Sequence, residues 1–373
     1  MDFSATLTEL GISGNLRRLP DNLPDNVTDF TSNDYLGLAG DAGLREKFLE
    51  KHKPDSLVFT SSASRLLAGN QKEYVVLEKV LADSYGKEAL LFNSGYHANT
   101  GIIQAIAGKS DLILADRLVH ASIIDGIRLS GARFIRFAHN NLDALEKLLT
   151  NNYKDYSSGN KSIIVIVESI YSMDGDRADL RRLVELKRKF PETILYVDEA
   201  HAVGAVGPGG LGEAVAQGVA AEIDILIGTF GKALASAGAF AITDGTIRNF
   251  LINRARSLIF STALPPVQAL WTEFMWKTSL DADSLRRQLA ENSRLLAEVI
   301  PGGEPSHIRP LIVGDSRRAV TLSGRLFEND FNVLPIRTPT VPPGTERLRF
   351  SLSAATPPDE ILRLGCVIKA ITS

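Results

Sequence analysis

Residues 194–232 read ILYVDEAHAVGAVGPGGLGEAVAQGVAAEIDILIGTFGK, and this stretch decides the fold. It holds two continuous apolar runs, Ile194–Asp198 and Ile223–Gly228, each followed directly by polar residues. Continuous apolar runs are typical of strands that are covered on both faces of a sheet. Open α/β sheets carry their chemistry beyond the carboxyl ends of such strands. The stretch therefore predicts a parallel sheet with a site formed after its strands.

Similar apolar runs occur on both sides of this stretch. Further strands are predicted at Ala89–Asn93, Leu112–Ala115, Ile163–Glu168 and Ala237–Thr243. Apolar residues recur every three or four positions in the intervening segments, which predicts helices at Lys72–Tyr85, Leu142–Thr150 and Leu180–Lys189. Strands that alternate with helices indicate an α/β fold with a mainly parallel sheet.

The alternation of strands and helices ends after Pro265-Pro266. One long helix is predicted at Val267–Val299, followed by Pro/Gly-rich stretches and short strands at Ile308–Val313 and Arg347–Leu352. We therefore predict a large domain over residues 46–265 and a smaller α+β C-terminal domain over 266–373. Residues 1–45 are predicted to be an N-terminal segment that contributes to the small domain and to the active site.

The composition excludes several classes of protein. Lys and Arg number 41 against 44 Asp and Glu, so the net charge of -3 provides no basic field for a nucleic acid. Cys366 is the single cysteine, which rules out an intramolecular disulfide and a cysteine-based zinc site and fits a reducing cytoplasm. The chain contains no apolar run long enough for a signal peptide or a membrane span. We expect a cytoplasmic enzyme without a metal and without membrane insertion.

The polar residues after the strands match the needs of pyridoxal phosphate. This cofactor requires a lysine amine for its aldehyde, an acid near its ring nitrogen and a donor at its phenolic oxygen. Lys232, Asp198 and His201 can fill these roles. The stretch Asn93–His97 follows a strand and contains Gly95, so its backbone can cradle a phosphate, with Thr229 as an added hydroxyl donor.

The order of these motifs resembles the α-oxoamine synthase family of fold-type I pyridoxal-phosphate enzymes, nearly from end to end. The matching segments are Thr31–Leu38, Ser64–Leu66, Asn93–Tyr96, Asp116–Ser122, Glu168–Asp176, Asp198–Gly207, Gly228–Lys232 and Phe260–Pro266.

The resemblance implies a role for each matching residue. For the cofactor it implies that His120 stacks on the ring, that Asp198 faces the ring nitrogen, and that Ser172 and His201 hold the phenolic oxygen. Lys232, His120, Asp198 and His201 are the implied catalytic residues. The phosphate end is assigned to Ser94, Gly95, Tyr96 and Thr229, with Thr262 contributed from a second subunit. The implied substrate-binding residues are Arg17, Asn33, Thr340 and Arg349.

The implied reaction joins an amino acid to an acyl-CoA or acyl-carrier-protein thioester with loss of carbon dioxide, in a homodimer with shared active sites. The short N-terminus and the segment Thr340–Arg349 favour family members that use L-alanine and a pimeloyl thioester in biotin biosynthesis. Members that use glycine or L-serine stay open as alternatives. The family commonly has Gly-Ser-Gly where this chain has Thr60–Ala63, and this departure leaves the acyl specificity open.

Three other interpretations fit the sequence less well. Residues 198–201 also match the DEAH box of helicases, but the corresponding phosphate loop would need a glycine where Ile103 stands. Residues Gly207–Gly212 match a dinucleotide pattern, but they do not directly follow a strand and contain Pro208, so we expect a flexible loop near the active site. A non-catalytic dimeric homologue is expected to lose Lys232 or its partners, and these are present.

Overall fold

The structure is a computed structural model that describes residues 2–20, 22–156 and 161–372. Its helices are α1 (Phe3–Ile12), α2 (Ala42–Lys51), α3 (Lys72–Tyr85), α4 (Gly95–Ile106), α5 (Ala121–Ser130), α6 (Leu142–Tyr156), α7 (Leu180–Lys189), α8 (Glu213–Ala216), α9 (Gly245–Arg254), α10 (Arg256–Ile259), α11 (Pro266–Leu280), α12 (Asp283–Val299), α13 (Ser316–Phe327) and α14 (Pro358–Thr372). Short 3₁₀ turns span Pro54–Ser56, Pro208–Gly210 and Ala220–Glu222, and a π-helical turn spans Arg65–Gly69.

The strands are β1 (Thr28–Asp29), β2 (Glu88–Phe92), β3 (Leu112–Asp116), β4 (Arg133–Phe137), β5 (Ile163–Glu168), β6 (Thr193–Asp198), β7 (Ile225–Thr229), β8 (Ala239–Thr243), β9 (Ile308–Ile312), β10 (Phe331–Asn332), β11 (Leu334–Ile336) and β12 (Arg347–Ser351). The main sheet has seven strands in the order β2-β8-β7-β6-β5-β3-β4. Strands β4, β3, β5, β6 and β7 pair in parallel, and β8 pairs antiparallel with β7 and with β2. The predicted mainly parallel α/β sheet is confirmed.

The main sheet is covered on both faces, as the continuous apolar runs predicted. Along β5, Ile163 and Val165 belong to one hydrophobic core, whereas Ile164 and Ile166 belong to another. Successive side chains of a strand point to opposite faces, so a strand that contributes to two cores must be apolar at every position.

Two sequence predictions need correction. The long helix predicted at Val267–Val299 is broken into α11 and α12 at Asp281-Ala282. Asp281 is the C-cap residue of α11, and Asp283 and Ser284 begin α12. Short polar side chains of this kind compete for backbone hydrogen bonds at helix ends. Strand β4 was not predicted, because at this edge of the sheet its residues are mostly exposed and no continuous apolar run marks it.

The chain divides into two compact units, which are described separately. One unit comprises Gly37–Tyr171 and Arg177–Asp283 and contains the main sheet. The other comprises Met1–Leu36, Ser172–Asp176 and Ser284–Ser373. It contains the antiparallel sheet β11-β12-β9 and the parallel pair β1-β10. Across the parts of the chain that the structure describes, none of the helices combines the length and the hydropathy that a membrane crossing requires.

Candidate active site

A polar pocket lies at the carboxyl ends of the parallel strands in the main-sheet unit. It has about 530 Å³ of space when the open solvent at its mouth is included. Its lining residues come from the ends of β5, β6 and β7, from the segments after them, from the first two turns of α4 and from the N-cap and first turn of α5: Gly95, Tyr96, Asn99, His120, Ser122, Glu168, Asp198, Ala200, His201, Thr229 and Lys232. Seven predicted site residues therefore meet in one pocket: Gly95, Tyr96, His120, Asp198, His201, Thr229 and Lys232.

Asp198 ends strand β6, and its carboxylate is held at both oxygens. Oδ1 accepts a hydrogen bond from the backbone N–H of Ala200 at 2.9 Å, and Oδ2 accepts from Asn99 Nδ2 at 2.8 Å. The residue is only 5% exposed. These two donors fix the direction of the carboxylate and satisfy both of its oxygens.

Lys232 follows strand β7 in a tight turn that leads into β8. Its Nζ lies 2.8 Å from His201 Nε2. Hydrogen bonds close the turn, from the N–H of Phe230 to the oxygen of Gly238 and from the N–H of Ala235 to the oxygen of Lys232 itself. The lysine amine and the imidazole are thus close enough to exchange a proton directly.

The segment after His201 packs directly against the lysine turn. Gly204 has a φ of +83°, and a Cβ placed on it would lie 2.7 Å from Ala233 Cβ. Real Cβ atoms do not approach each other this closely, and the positive φ also favours glycine. Glycine at this position therefore lets the His201 segment and the Lys232 turn approach.

His120 caps α5 and is held through both its backbone and its ring. Its backbone N–H donates to the carboxylate of Glu168, which is 2% exposed, and its Nδ1 lies 2.7 Å from Ser122 Oγ. The ring borders the open pocket, whereas the protein atoms around it desolvate the charged form and lower the pKa of His120. Asp198 and Asp125 oppose this shift, and Lys232 adds to it. The environment thus favours a neutral imidazole.

The N-terminus of α4 forms one end of the pocket. Ser94 is the N-cap residue, and its Oγ accepts from the backbone N–H of His97 at 3.2 Å. The N–H groups of Gly95 and Tyr96 are the first in the helix, where no intrahelical acceptor exists. A Cβ on Gly95 would lie 4.0 Å from Thr229 Oγ1, so this hydroxyl stands next to the start of the helix. Such an end suits a phosphate group.

The pocket's donor set fits pyridoxal phosphate. A helix N-terminus and a hydroxyl lie at one end, a fixed carboxylate lies in the wall, and a lysine amine projects beside an imidazole. These are the groups that the phosphate, the ring nitrogen and the aldehyde of the cofactor require.

Glu199 supports the pocket from behind. Its carboxylate is fully buried and accepts from the N–H groups of Glu213 at 2.8 Å and Ala214 at 2.7 Å. Burial raises its pKa to about 7. Gly212 packs so closely on this carboxylate that a Cβ there would overlap Glu199 Oε2. The segment Gly207–Gly212, expected to be a flexible loop, is therefore anchored against a buried carboxylate.

Asn33 and Arg349 lie together in the other unit. Asn33 Oδ1 accepts from Tyr35 OH at 3.0 Å, from Arg349 Nη2 at 3.2 Å and from Ser351 Oγ at 3.3 Å. Burial raises the pKa of Tyr35 to about 12, so this hydroxyl stays a donor. Because Oδ1 takes these donors, Nδ2 is the side of the amide that can donate to a carboxylate, next to a guanidinium.

The remaining predicted residues are placed as follows. Ser172 belongs to the same unit as Arg349, and its backbone oxygen accepts from Arg349 Nε at 2.6 Å. Arg17 Nη2 donates to Thr340 Oγ1 at 2.7 Å, which brings these two residues together. Thr262 is exposed, and its backbone oxygen accepts from Asn93 Nδ2 at 2.7 Å. Thr262 and Ser94 do not line the pocket, although Ser94 shapes the helix end that does.

Four pocket residues were not predicted as site residues: Asn99, Ser122, Glu168 and Ala200. Glu168 is the register partner of Asp198 on the neighbouring strand, so it ends its strand at the same level. Glu168 could have been predicted from this position at the end of an apolar run. Asn99 interrupts the buried face of α4 between Ala98 and Ile102, where a polar side chain needs a partner.

The chain is similar to known proteins along nearly its whole length. A family model described as "Aminotransferase class I and II" matches residues 25–366. A curated relative from Pasteurella multocida, named "Putative 8-amino-7-oxononanoate synthase", is 46% identical over 368 residues, which cover 94% of each chain.

Two solved structures have similar folds. Serine palmitoyltransferase from S. paucimobilis, described with a bound PLP–myriocin aldimine, matches with a TM-score of 0.87 at 28% identity and covers 99% of this chain and 96% of that one. The 8-amino-7-oxononanoate synthase of Francisella tularensis matches with a TM-score of 0.77 at 28% identity and covers 94% and 98%. The fold-type I architecture is thereby confirmed. The chain belongs to the aminotransferase class I and II family, and within it to the α-oxoamine synthase-like acyltransferases that depend on pyridoxal phosphate.

Proposed function

We propose that this enzyme condenses L-alanine with a pimeloyl thioester, carried by CoA or by acyl carrier protein, and releases 8-amino-7-oxononanoate, carbon dioxide and the free thiol in biotin biosynthesis. The observation that carries the proposal is the 46% identity with the Pasteurella multocida relative over 94% of both chains. The resemblance of Thr340–Arg349 to the family members that use these substrates supports the same choice.

The resident cofactor in this proposal is pyridoxal phosphate. When bound, it supplies the electron sink that makes the α-carbon of an amino acid nucleophilic. Asp198 would keep the ring nitrogen protonated, supported by the two donors that hold its carboxylate. The helix end at Gly95 and Tyr96, shaped by Ser94, would bind the phosphate together with Thr229. His120 would stack on the ring, and Ser172 and His201 would hold the phenolic oxygen.

Lys232 has two tasks in this proposal. Its amine would hold the cofactor covalently through the aldehyde, and as a free amine it would remove the α-proton of the amino acid and later return a proton to the product. The contact of 2.8 Å between Lys232 Nζ and His201 Nε2 supports this role, because a neighbouring imidazole can take up or supply a proton.

The amino acid is recognised through its carboxylate by Arg349 and Asn33. The guanidinium fork suits a two-point contact with a carboxylate, and the amide of Asn33 is oriented with its oxygen turned to its three donors. Arg17 and Thr340, which bond to each other, contribute to substrate binding. The new carbon–carbon bond joins the α-carbon to the thioester carbonyl carbon, the thiol leaves, and the β-keto acid loses its carboxylate as carbon dioxide.

The working form in this proposal is a cytoplasmic homodimer with shared active sites. Thr262 contributes to the phosphate site of the second subunit, and its exposure in the single chain is consistent with that role. The single cysteine is consistent with the proposed cytoplasmic setting.

A second candidate is serine palmitoyltransferase activity. The specific observation in its favour is the higher TM-score with the S. paucimobilis enzyme, 0.87 against 0.77 for the 8-amino-7-oxononanoate synthase of Francisella tularensis, at equal sequence identity. We rank it second because the relative with 46% identity carries the other name.

The test is a substrate panel on purified protein that has been reconstituted with pyridoxal phosphate. L-Alanine, glycine and L-serine are each combined with pimeloyl-, acetyl- and palmitoyl-CoA and with pimeloyl-acyl carrier protein, and thiol release and product mass are followed. 8-Amino-7-oxononanoate formed only from L-alanine and a pimeloyl thioester supports the proposal. Turnover only with L-serine and palmitoyl-CoA, or with glycine and acetyl-CoA, moves the chain to a sister activity. A protein that binds no cofactor overturns both candidates.

A further inference from the structure

A buried chain of hydrogen bonds links the pocket's carboxylate to its imidazole through Asn99. This residue is 2% exposed and lies in the second turn of α4. Its Nδ2 donates to Asp198 Oδ2 at 2.8 Å and to Ser122 Oγ at 2.9 Å. Its Oδ1 accepts from the hydroxyl of Tyr196, which is fully buried. Asn99 thus contacts two pocket residues, Asp198 and Ser122, from a buried position.

The direction of each hydrogen bond in this chain is determined by its carboxylate end. A carboxylate oxygen only accepts, so the atom of Asn99 that faces Asp198 must be the NH₂ group. The same NH₂ group faces Ser122 Oγ, so this oxygen acts as an acceptor there. The hydroxyl proton of Ser122 is then available for its other neighbour, His120 Nδ1, at 2.7 Å.

Two donors therefore converge on one ring nitrogen of His120. Besides the Ser122 hydroxyl, the backbone N–H of Ser122 points to Nδ1 at 3.2 Å. A nitrogen that accepts two hydrogen bonds carries no proton, so the ring proton of a neutral imidazole must be on Nε2.

We propose that Asn99 is a positioning residue that fixes His120, through Ser122, as the neutral imidazole with its proton on Nε2, and at the same time fixes the direction of the Asp198 carboxylate. The proposal rests on the proposed function only for its consequence in catalysis. A neutral ring stacks on a cationic cofactor ring without charge repulsion, and a single hub aligns both groups that contact that ring.

The charged groups around His120 are compatible with this assignment. Glu168 accepts a hydrogen bond from the backbone N–H of His120. The carboxylates of Asp198, at the end of β6, and of Asp125, on α5, act on the ring through their charge. These carboxylates favour a charged ring, whereas Lys232 and the surrounding protein disfavour it. The two donors at Nδ1 also disfavour a charged ring, because a protonated Nδ1 would place its own hydrogen against the hydrogens of both donors.

The test is ¹⁵N NMR of histidine-labelled protein, in which only six residues carry label. Spectra of the apo and the cofactor-loaded protein are compared for wild type, Asn99→Asp, Ser122→Ala and Asn152→Asp, and His120→Gln assigns the signal. Asn99→Asp replaces the donor by an acceptor of the same shape, which draws the Ser122 proton away from His120. Asn152 lies on α6, where its Nδ2 donates to Leu148 O, and it provides the same chemical change outside the pocket.

We expect wild-type His120 to show an unprotonated Nδ1 and a protonated Nε2. Asn99→Asp and Ser122→Ala should both shift protonation toward Nδ1, and Asn152→Asp should not. Turnover of the loaded Asn99→Asp enzyme should fall by about tenfold or more, the scale seen when an outer hydrogen-bond partner of a site ligand is lost.

An Nδ1-protonated wild-type ring overturns the proposal, as does an unchanged His120 signal in both pocket variants. This holds whatever the substrate of the enzyme is, so failure here is distinct from failure in the substrate panel. If Asn99→Asp does not fold, Ser122→Ala alone decides, because it removes the link to His120 and leaves the Asn99–Asp198 bond in place.

Discussion

Lys232 Nζ and His201 Nε2 are 2.8 Å apart, within a turn and a strand end that pack on each other at Gly204. At this distance the imidazole can exchange a proton with the amine that the proposed chemistry requires. In that proposal, two motifs separated by about thirty residues in sequence act as one acid–base unit.

Replacing Lys232 by Ala should abolish turnover, by roughly a thousandfold or more, because the variant loses both the covalent link and the base. Cofactor binding should persist in part, since the phosphate end and Asp198 are unchanged. Steady-state assays and absorbance spectra of the loaded variant check both statements. Lys79→Ala, an exposed lysine paired with Asp83 on α3, is the control and should keep full activity. Normal turnover by the Lys232 variant would contradict the assignment.

Replacing Arg349 by Lys should raise KM for the amino acid by about 10- to 100-fold, the scale of one charge-assisted hydrogen bond. KM for the acyl thioester should change little, because the guanidinium is assigned to the carboxylate of the amino acid. Initial rates over both substrate concentrations separate the two constants, and Arg318→Lys, at an exposed position of α13, is the control. A rise confined to the thioester constant would show that Arg349 serves the other substrate.

Glu199 should make stability depend on pH in an identifiable window. Its pKa is raised from 4.5 to about 7, so the folded protein holds this proton more tightly than the unfolded chain. As the pH rises from 4.5 to 7, the unfolded chain ionises first and the free energy of unfolding falls, by roughly 3 kcal/mol in total from this group.

Glu199→Gln should remove that part of the decline, because glutamine does not ionise. Urea unfolding of the apo protein between pH 5 and 8 gives the slope for wild type, for this variant and for Glu46→Gln, an exposed control on α2. The slope is the relevant quantity, since glutamine also loses one acceptor for the N–H groups of Glu213 and Ala214. Equal slopes in wild type and Glu199→Gln would refute the prediction.

Ser62 should be a point of backbone strain. Its φ is +54°, a region that favours glycine, and it lies in the Thr60–Ala63 segment where the family commonly has glycines. Ser62→Gly should raise the free energy of unfolding by about 0.5–1 kcal/mol, since relief of the strain outweighs the added flexibility of the unfolded chain. Ser62→Ala keeps the Cβ and should bring no gain in the same urea titration. An equal gain in both variants would mean that the strain is not the cause.

Much of the main sheet could be predicted because its signal is local. A strand buried on both faces must be apolar throughout, so β3, β5, β6 and β7 were visible in the sequence to within two residues at either end. Edge strand β4 escaped because Arg133 and Arg136 are exposed and interrupt the apolar run. The break between α11 and α12 escaped because apolar residues continue across it at helical spacing.

The pocket residues were predictable where they end a strand or follow it within a few positions, and less so where they lie on a helix. Asp198, Thr229 and Lys232 fall in the first class. Asn99 falls in the second, because its role depends on how α4 packs against the ends of β6 and the start of α5. That packing is a tertiary property, and a single polar residue in an apolar helix face gives only a weak sign of it.

The antiparallel pairing of β8 with β7 determines where the amine of Lys232 lies. Thr229 pairs with Ala239 and Gly228 with Phe240, so the length of backbone between the two strands is set by the register of the sheet. A slip by one residue would turn alternate side chains to the opposite face. Insertions and deletions between these strands should therefore be far less tolerated than changes of side chain. The direction of the Lys232 side chain depends on the register of the sheet more than on the residues beside it.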